Sequence, residues 1–240
     1  GPEEVIARMS LLFQQQQPRH ILPKKPQEPP RHPTGLDTAL VSGMPTPALF
    51  PIDWHQFDHI VLDFGGVLYE IDHSRTAKAF AALGLPNFEQ EFRHGQQNPI
   101  FNALETGSIE ELDFLNTLRN RCNAGTTVED VRLAWNALLI GLRPETMPWI
   151  KTLHHQFDLI LFSNTNALHA EHFEKQILGS KQHKFPASFR QMVYSHRLGH
   201  RKPDTRAFEE VADQFDLNPA KTLLIDDTRA NVAGAINAGW

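Results

Sequence analysis

Apolar and polar positions change their rhythm twice along this chain. The first stretch, residues 1–55, carries Pro18, Pro23, Pro26, Pro29, Pro30, Pro33, Pro45, Pro47 and Pro51. Proline lacks an amide donor and fixes its own backbone angle, so neither a helix interior nor a central strand fits here. Ahead of the prolines, Glu3 to Gln17 places Val5, Ile6, Met9, Leu12 and Phe13 on one side and predicts a short helix. The rest is expected to be irregular, a linker or a tail wrapped over the folded domain. Residues 3–55 are the expected segment for any protein partner, through a proline-containing motif.

From His59 the pattern is different. Ile60-Val61-Leu62 is a continuous apolar run that stops at Asp63-Phe64-Gly65-Gly66. An uninterrupted run of this kind reads as a strand covered on both faces, followed by a tight turn. The device returns at Phe157 to Phe162, which leads into Ser163-Asn164-Thr165, and at Thr222 to Ile225, which leads into Asp226-Asp227-Thr228. Met192-Val193-Tyr194 predicts another strand ahead of the Arg201-Lys202-Pro203 turn. Helical patterns around 145–155, 204–214 and 229–238 separate these strands. Strands alternating with helices imply right-handed crossovers and an α/β fold with a doubly wound parallel sheet.

Residues 76–147 read as helices throughout. Thr76 to Leu83 is alanine-rich and ends at Gly84-Leu85-Pro86; Ser108-Ile109-Glu110-Glu111 has the capping-box pattern and opens a helix through Leu118. Thr127-Val128-Glu129-Asp130 repeats the device before Val131 to Leu139. A helical block inserted after the first strand predicts a small separate domain. The expected division is an extension over 1–55, a core over 56–75 and 148–240, and the helical insert over 76–147.

Composition narrows the function. At 240 residues with 40% hydrophobic residues the chain can bury a sizeable core, and a net charge of -5 argues against nucleic acid as a partner. No stretch approaches the roughly 18 apolar residues of a membrane helix, so no membrane is expected. The N-terminus lacks the basic start and apolar middle of a secretory signal. The single cysteine, Cys122, excludes an internal disulfide, and the expected home is the reducing cytoplasm.

In doubly wound sheets ligands bind beyond the carboxyl ends of the strands, which singles out Asp63, Ser163 and Asp226. Each alone is explained as a cap or turn former. Together they make a phosphoryl-transfer site. Asp63 can attack phosphorus and form an aspartyl-phosphate. Asp226 and Asp227 are like charges side by side, a costly arrangement unless a cation compensates. Asp63, Asp226, Asp227 and the carbonyl of Gly65 are therefore the expected ligands of Mg²⁺, which accepts one or two carboxylates with water and phosphate. Ser163 and Asn164, with nearby backbone N–H groups, would bind phosphoryl oxygens. Lys202 would restrain Asp63 and stabilise developing negative charge.

Those residues carry a resemblance to the phosphatases of the haloacid dehalogenase superfamily, whose motifs appear in order. The first resembles Ile60-Val61-Leu62-Asp63-Phe64-Gly65-Gly66-Val67 and the second Leu161-Phe162-Ser163-Asn164-Thr165-Asn166. The third is Lys202 within Leu198-Gly199-His200-Arg201-Lys202-Pro203. The fourth is Leu224-Ile225-Asp226-Asp227 followed by Asn231-Val232-Ala233-Gly234-Ala235. The Ser-Asn-Thr-Asn and Gly-x-Arg-Lys-Pro forms are most similar to the bacterial group around alpha-D-glucose-1-phosphate phosphatase. The resemblance spans about residues 57–240 and implies a Rossmann-like core with an inserted helical cap that sets specificity. It implies a Mg²⁺-dependent phosphomonoester hydrolase acting on a small phosphorylated metabolite such as a sugar phosphate. Retention of Asp226-Asp227 speaks against a dehalogenase.

The sequence departs from that pattern at Gly65, where most phosphatases of the superfamily carry a second aspartate that protonates the leaving group. A phosphomutase, which needs that acid, is thereby disfavoured. Anomeric and acyl phosphates need it least, and His73 is the candidate substitute. The competing reading is a weakly active or inactive member that serves as a binding module. The chain stops at Gly239-Trp240, where the family continues into at least one more strand, so the core is expected either to be truncated at that edge or to be completed by another element, for which the N-terminal segment is the candidate. Phe101, Trp135 and Arg143 are expected to face the site. His169, His172, His154 and His155 are expected at the surface.

Overall fold

The computed structural model describes residues 53–93 and 99–240, apart from the side chains of 91–93. The expected N-terminal helix, the proline-rich partner segment and its completion of the sheet edge lie outside the described residues.

Six strands are present among them: β1 (His59–Leu62), β2 (Tyr69–Ile71), β3 (Leu139–Leu142), β4 (Asp158–Ser163), β5 (Gln191–Tyr194) and β6 (Thr222–Ile225). Four form a parallel sheet in the order β5-β4-β1-β6. Leu62 stands opposite both Leu161 and Ile225, so β1 and β6 end level while β4 runs two residues further, to Ser163. Side chains alternate across the sheet. Ile60, Leu62, Leu159 and Leu161 enter one buried cluster, while Val61, Ile160 and Phe162 enter another. Both faces are covered, which is why the strands read as unbroken apolar runs. The first face packs on helices Thr146–His154 and Ala167–Leu178, the second on Thr205–Phe215 and Arg229–Asn237. The chain runs outward from β1 through β4 to β5, then crosses back to lay β6 on the other side of β1. That reversal opens a crevice at the carboxyl end of β1.

Between β2 and β3 lie α1 (His73–Ala82), α2 (Phe88–Arg93), α3 (Pro99–Glu105), α4 (Glu111–Arg119) and α5 (Val128–Asn136). They surround an apolar cluster of their own, with Phe80, Phe88, Phe101, Phe114, Leu118, Val131 and Trp135 at its centre. Later helices are α6 (Thr146–His154), α7 (Ala167–Leu178), α8 (Ser195–Leu198), α9 (Thr205–Phe215) and α10 (Arg229–Asn237). No helix among the described residues is long and apolar enough to cross a membrane.

Three local expectations need correction. The helix expected from Thr76 begins at His73, because the Asp72 side chain accepts the Ser74 N–H at 2.9 Å and caps it earlier. Ser108 does not cap: its hydroxyl pairs with Thr106 at 2.9 Å, and α4 starts at Glu111 behind an N-cap, Glu110, with no side-chain bond. The stretch over 76–147 is not wholly helical. α5 stops at Asn136, and Leu139–Leu142 becomes a strand antiparallel to β2. Its partner is remote in sequence, so local pattern carries no sign of the pairing. Thr127 does form the complete reciprocal box with Asp130.

Candidate active site

The level ends of β1 and β6 put the site's carboxylates side by side. The backbone N–H of Asp63 donates to the Ile225 carbonyl at 2.9 Å, which extends the β1–β6 ladder by one residue and brings Asp226 alongside. Lys202 rises from the loop between α8 and α9 and has no exposed surface. Its ammonium donates to Asp63 Oδ1 at 2.9 Å, to Asp226 Oδ2 at 2.5 Å and to the Phe162 carbonyl at 2.8 Å. An ammonium has three protons, so its donors are fully used. Asp226 is fixed in turn, accepting from the Thr228 N–H at 2.9 Å and from the Asn231 amide at 3.0 Å.

The residues after β4 divide their tasks. Ser163 is buried and lines the crevice. Asn164, expected to bind substrate, is occupied elsewhere. Its amide donates to the Lys202 carbonyl at 2.7 Å and its oxygen accepts the Lys202 N–H at 2.9 Å. The side chain thus clamps the lysine's backbone, and only its main chain is left to offer a phosphoryl group. Thr165 exchanges two bonds with Ser195 Oγ, accepting at its carbonyl (2.9 Å) and donating from its N–H (3.0 Å). Asn166 caps α7 by accepting the His169 N–H.

Three carboxylates face one ammonium here. Burial, reinforced by Asp226 and opposed by Lys202, raises Asp63 to about 6. Burial and then the Asp226 charge also raise Asp227. Burial alone would lower Lys202, but Asp63 and Asp226 outweigh it and hold the ammonium above its ordinary value. Oxygens of Asp63, Asp226 and Asp227 lie within 4.8 Å of one another. Gly66 permits this approach: its φ is +80°, and a Cβ there would sit 2.2 Å from Asp227 Oδ2. Close oxygen donors with excess negative charge fit a hard divalent cation. Gly65 beside them is not in the left-handed region, and a Cβ would meet only Ile71 Cδ1 at 3.4 Å.

The crevice opens into a cavity of about 950 Å³ that reaches the helical block. His169, expected at the surface, is buried and lines this cavity. Its Nε2 lies 3.2 Å from the Trp135 carbonyl, which can only accept, so Nε2 carries the proton and Nδ1 accepts from the Asn166 amide at 3.1 Å. Burial lowers it to about 4, with the His172 and His73 charges acting the same way and the Trp135 bond opposing. His73 lines the same cavity and is exposed. Phe101 and Trp135, expected to face the site, stack on each other at 5.7 Å inside the helical block. Arg143 donates to the Gly66 carbonyl at 3.2 Å and is absent from the cavity wall. Sequence reasoning missed Asn102, Glu105 and Thr106, which line the cavity from α3 and its end. Their spacing of three and four was the available signal.

Residues 57–239 match the family model for haloacid dehalogenase-like hydrolases. A curated relative, D-ribitol-5-phosphate phosphatase of Bacteroides thetaiotaomicron, is 28% identical over 174 residues, which is 72% of this chain and 84% of the relative. A haloacid dehalogenase-family enzyme of the same organism, crystallised with magnesium and inorganic phosphate, is similar at 26% identity. The match covers 76% of this chain and 91% of that one, with a TM-score of 0.70. A hydrolase of this family type from Porphyromonas gingivalis matches at 27% identity, covering 77% and 89%, with a TM-score of 0.65.

Proposed function

The chain belongs to the haloacid dehalogenase-like hydrolases, and from that footing we propose a magnesium-dependent phosphatase that works through an aspartyl-phosphate at Asp63. The observation that carries this reading is Lys202 buried between Asp63 and Asp226, with Asp227 beside them, on the floor of a cavity. Asp63, Asp226, Asp227 and the Gly65 carbonyl would hold the ion, whose charge neutralises the phosphoryl oxygens that a carboxylate must approach.

The chain's own groups do the rest. With Oδ1 held by Lys202, the Asp63 carboxylate keeps one orientation, and above its value of about 6 it is ionised and nucleophilic. Its attack forms an Asp63–phosphorus bond as the bond from phosphorus to the ester oxygen breaks. Ser163 and the backbone N–H of Asn164 hold the phosphoryl oxygens, and Lys202 balances the charge that builds on them. Water then attacks the phosphorus, frees phosphate and restores the carboxylate. The departing oxygen of an alkyl ester needs a proton that glycine at position 65 cannot give, so a sugar or polyol ester calls for another donor. His73, on the cavity wall, is the side chain placed to substitute.

A phosphate ester of a sugar or polyol is the substrate class we favour, on the resemblance of the motifs and the D-ribitol-5-phosphate phosphatase relative. The lone cysteine suits a cytoplasmic enzyme. The test is phosphate release with Mg²⁺ from ribitol 5-phosphate, glucose 1-phosphate, acetyl phosphate and p-nitrophenyl phosphate. Asp63→Asn is expected to lower kcat by about a thousandfold or more. Equal rates for the variant and wild type across the panel would leave a binding module as the better reading.

A further inference from the structure

One short helix of the helical block contributes three polar residues to the cavity wall. In α3, Phe101 and Leu104 turn into the apolar cluster of the helical block. Asn102, Glu105 and Thr106, spaced by three and four, share the opposite side and line the cavity. The end of α3 is pressed onto the core at Gly107, where φ is +67° and a Cβ would lie 2.3 Å from the His196 carbonyl. That close approach sets Glu105 against Arg201, with Oε2 and Nε 2.9 Å apart and side-chain exposures of 26% and 19%. The pair spans from helical block to core, one residue before Lys202. Burial pushes the Glu105 carboxyl up while Arg201 draws it down, as expected of a carboxylate largely withdrawn from water.

Among the described residues lining the cavity, two side chains carry a permanent positive charge, and each is already matched. Lys202 is bonded to Asp63 and Asp226, and Arg201 is paired with Glu105. The part of a substrate beyond its phosphate therefore meets a polar wall with no unmatched cation, to which Asp204 adds a further carboxylate. A hydroxyl can donate to the carboxylate and accept from the guanidinium, so a polyhydroxylated group is served by both halves of the pair. A second phosphate or a carboxylate would face Glu105 at short range with no unmatched cation, and would lose its hydration for nothing.

We propose that Glu105 and Arg201 form a specificity-determining pair that admits phosphate monoesters of uncharged polyhydroxylated compounds and rejects those bearing a second anionic group. The proposal rests on the phosphatase reading and names the substrate class of that same site. Its test compares kcat/KM for a polyol or sugar monophosphate with kcat/KM for a sugar bisphosphate and a phosphorylated sugar acid. Glu105→Gln keeps the side chain's shape and frees Arg201. It is expected to raise the ratio of anionic to neutral substrate by about tenfold or more, the scale of one charge-assisted hydrogen bond. Arg201→Gln is expected to leave that ratio at or below the wild-type value.

A ratio measured within one preparation does not depend on the fraction folded, so a destabilised variant still gives an answer. A ratio unchanged within about twofold in Glu105→Gln overturns the pair, that being small against one charge-assisted bond. So does wild-type protein that turns over both substrate types equally well. Wild type inactive even on p-nitrophenyl phosphate fails differently, because it overturns the phosphatase reading beneath the pair.

Discussion

Lys202→Met removes one charge and three hydrogen bonds while keeping most of the stem's volume. Lys202 and the Asp226 side chain are fully buried, and the Asp63 side chain is 11% exposed. At an effective dielectric constant of about 20, each contact supplies roughly 6 kcal/mol of gross attraction. Desolvation of the three groups offsets most of that, so the intact cluster adds little net stability. Breaking it is another matter, because two carboxylates then stay buried with nothing between them. The expected loss is about 3–5 kcal/mol, or about 6–20 °C in Tm for a chain of this length.

Asp63→Asn is the matching control. The folded value of about 6 lies above the ordinary 3.8. Ionising Asp63 therefore costs stability that is fully present below 3.8, falls as pH rises through that window, and is lost above about 6. At pH 7.5 asparagine escapes the cost, so this variant should unfold at or above the wild-type temperature although it lacks the nucleophile. Thermal and urea unfolding at pH 7.5 with a chelator present checks both variants. A Lys202→Met Tm within about 2 °C of wild type would refute the reasoning, since that is less than 1 kcal/mol at this size. An equal loss in Asp63→Asn would do the same. In the double variant part of the loss should return, with a coupling energy of about 1–3 kcal/mol.

The same geometry has other consequences. His169 stays neutral in the fold down to about 4 while the unfolded chain takes up the proton near 6.5, so stability falls as pH drops through that window, by up to about 3 kcal/mol at pH 4. His169→Gln should flatten that part of the pH–stability curve, and an unchanged slope would sink the assignment. Asn164→Ala loses both bonds to the Lys202 backbone and should lower kcat by about 10- to 100-fold with little change in KM; an intact kcat would show that the clamp does not position the lysine. At Gly65 the backbone is outside the left-handed region and a Cβ makes only ordinary contact with Ile71, so Gly65→Asp does not force the backbone. It should speed alkyl phosphates relative to p-nitrophenyl phosphate by about tenfold or more, and a constant ratio would mean that protonation of the leaving group is not limiting.

Asp63, Ser163 and Asp226 were legible because a strand covered on both faces must be apolar up to its end, and the first polar residue there stands out. Lys202 was legible only through the resemblance of its loop, since nothing local distinguishes a buried lysine from a solvated one. Glu105 could be placed on a polar helix face by its spacing, but its pairing was illegible for a similar reason. Its meaning comes from Arg201, which α3 reaches only because Gly107 lets it approach the core. The strand at Leu139–Leu142 and the burial of His169 were hidden likewise, each created by a partner distant in sequence: β2 for one, the Trp135 carbonyl for the other.

The run Ser163-Asn164-Thr165-Asn166 shows why a polar segment directly after a strand need not serve the ligand alone. Ser163 lines the crevice, Asn164 clamps the Lys202 backbone, Thr165 bonds Ser195 at the start of α8, and Asn166 joins α7 to the helical block through His169 and the Trp135 indole at 3.4 Å. Three of these four residues thus tie the end of β4 to the Lys202 loop, to the start of α8 and to the helical block. The α8 segment they hold is also the one on which Gly107 rests, which in turn sets the distance from Glu105 to Arg201. The lysine that steadies Asp63 and the pair that faces the rest of the substrate are therefore referenced to one strand end. Arg201, paired with Glu105 of the helical block, and Lys202, bonded to Asp63, are adjacent in one loop, so the two ends of the substrate site share a single support.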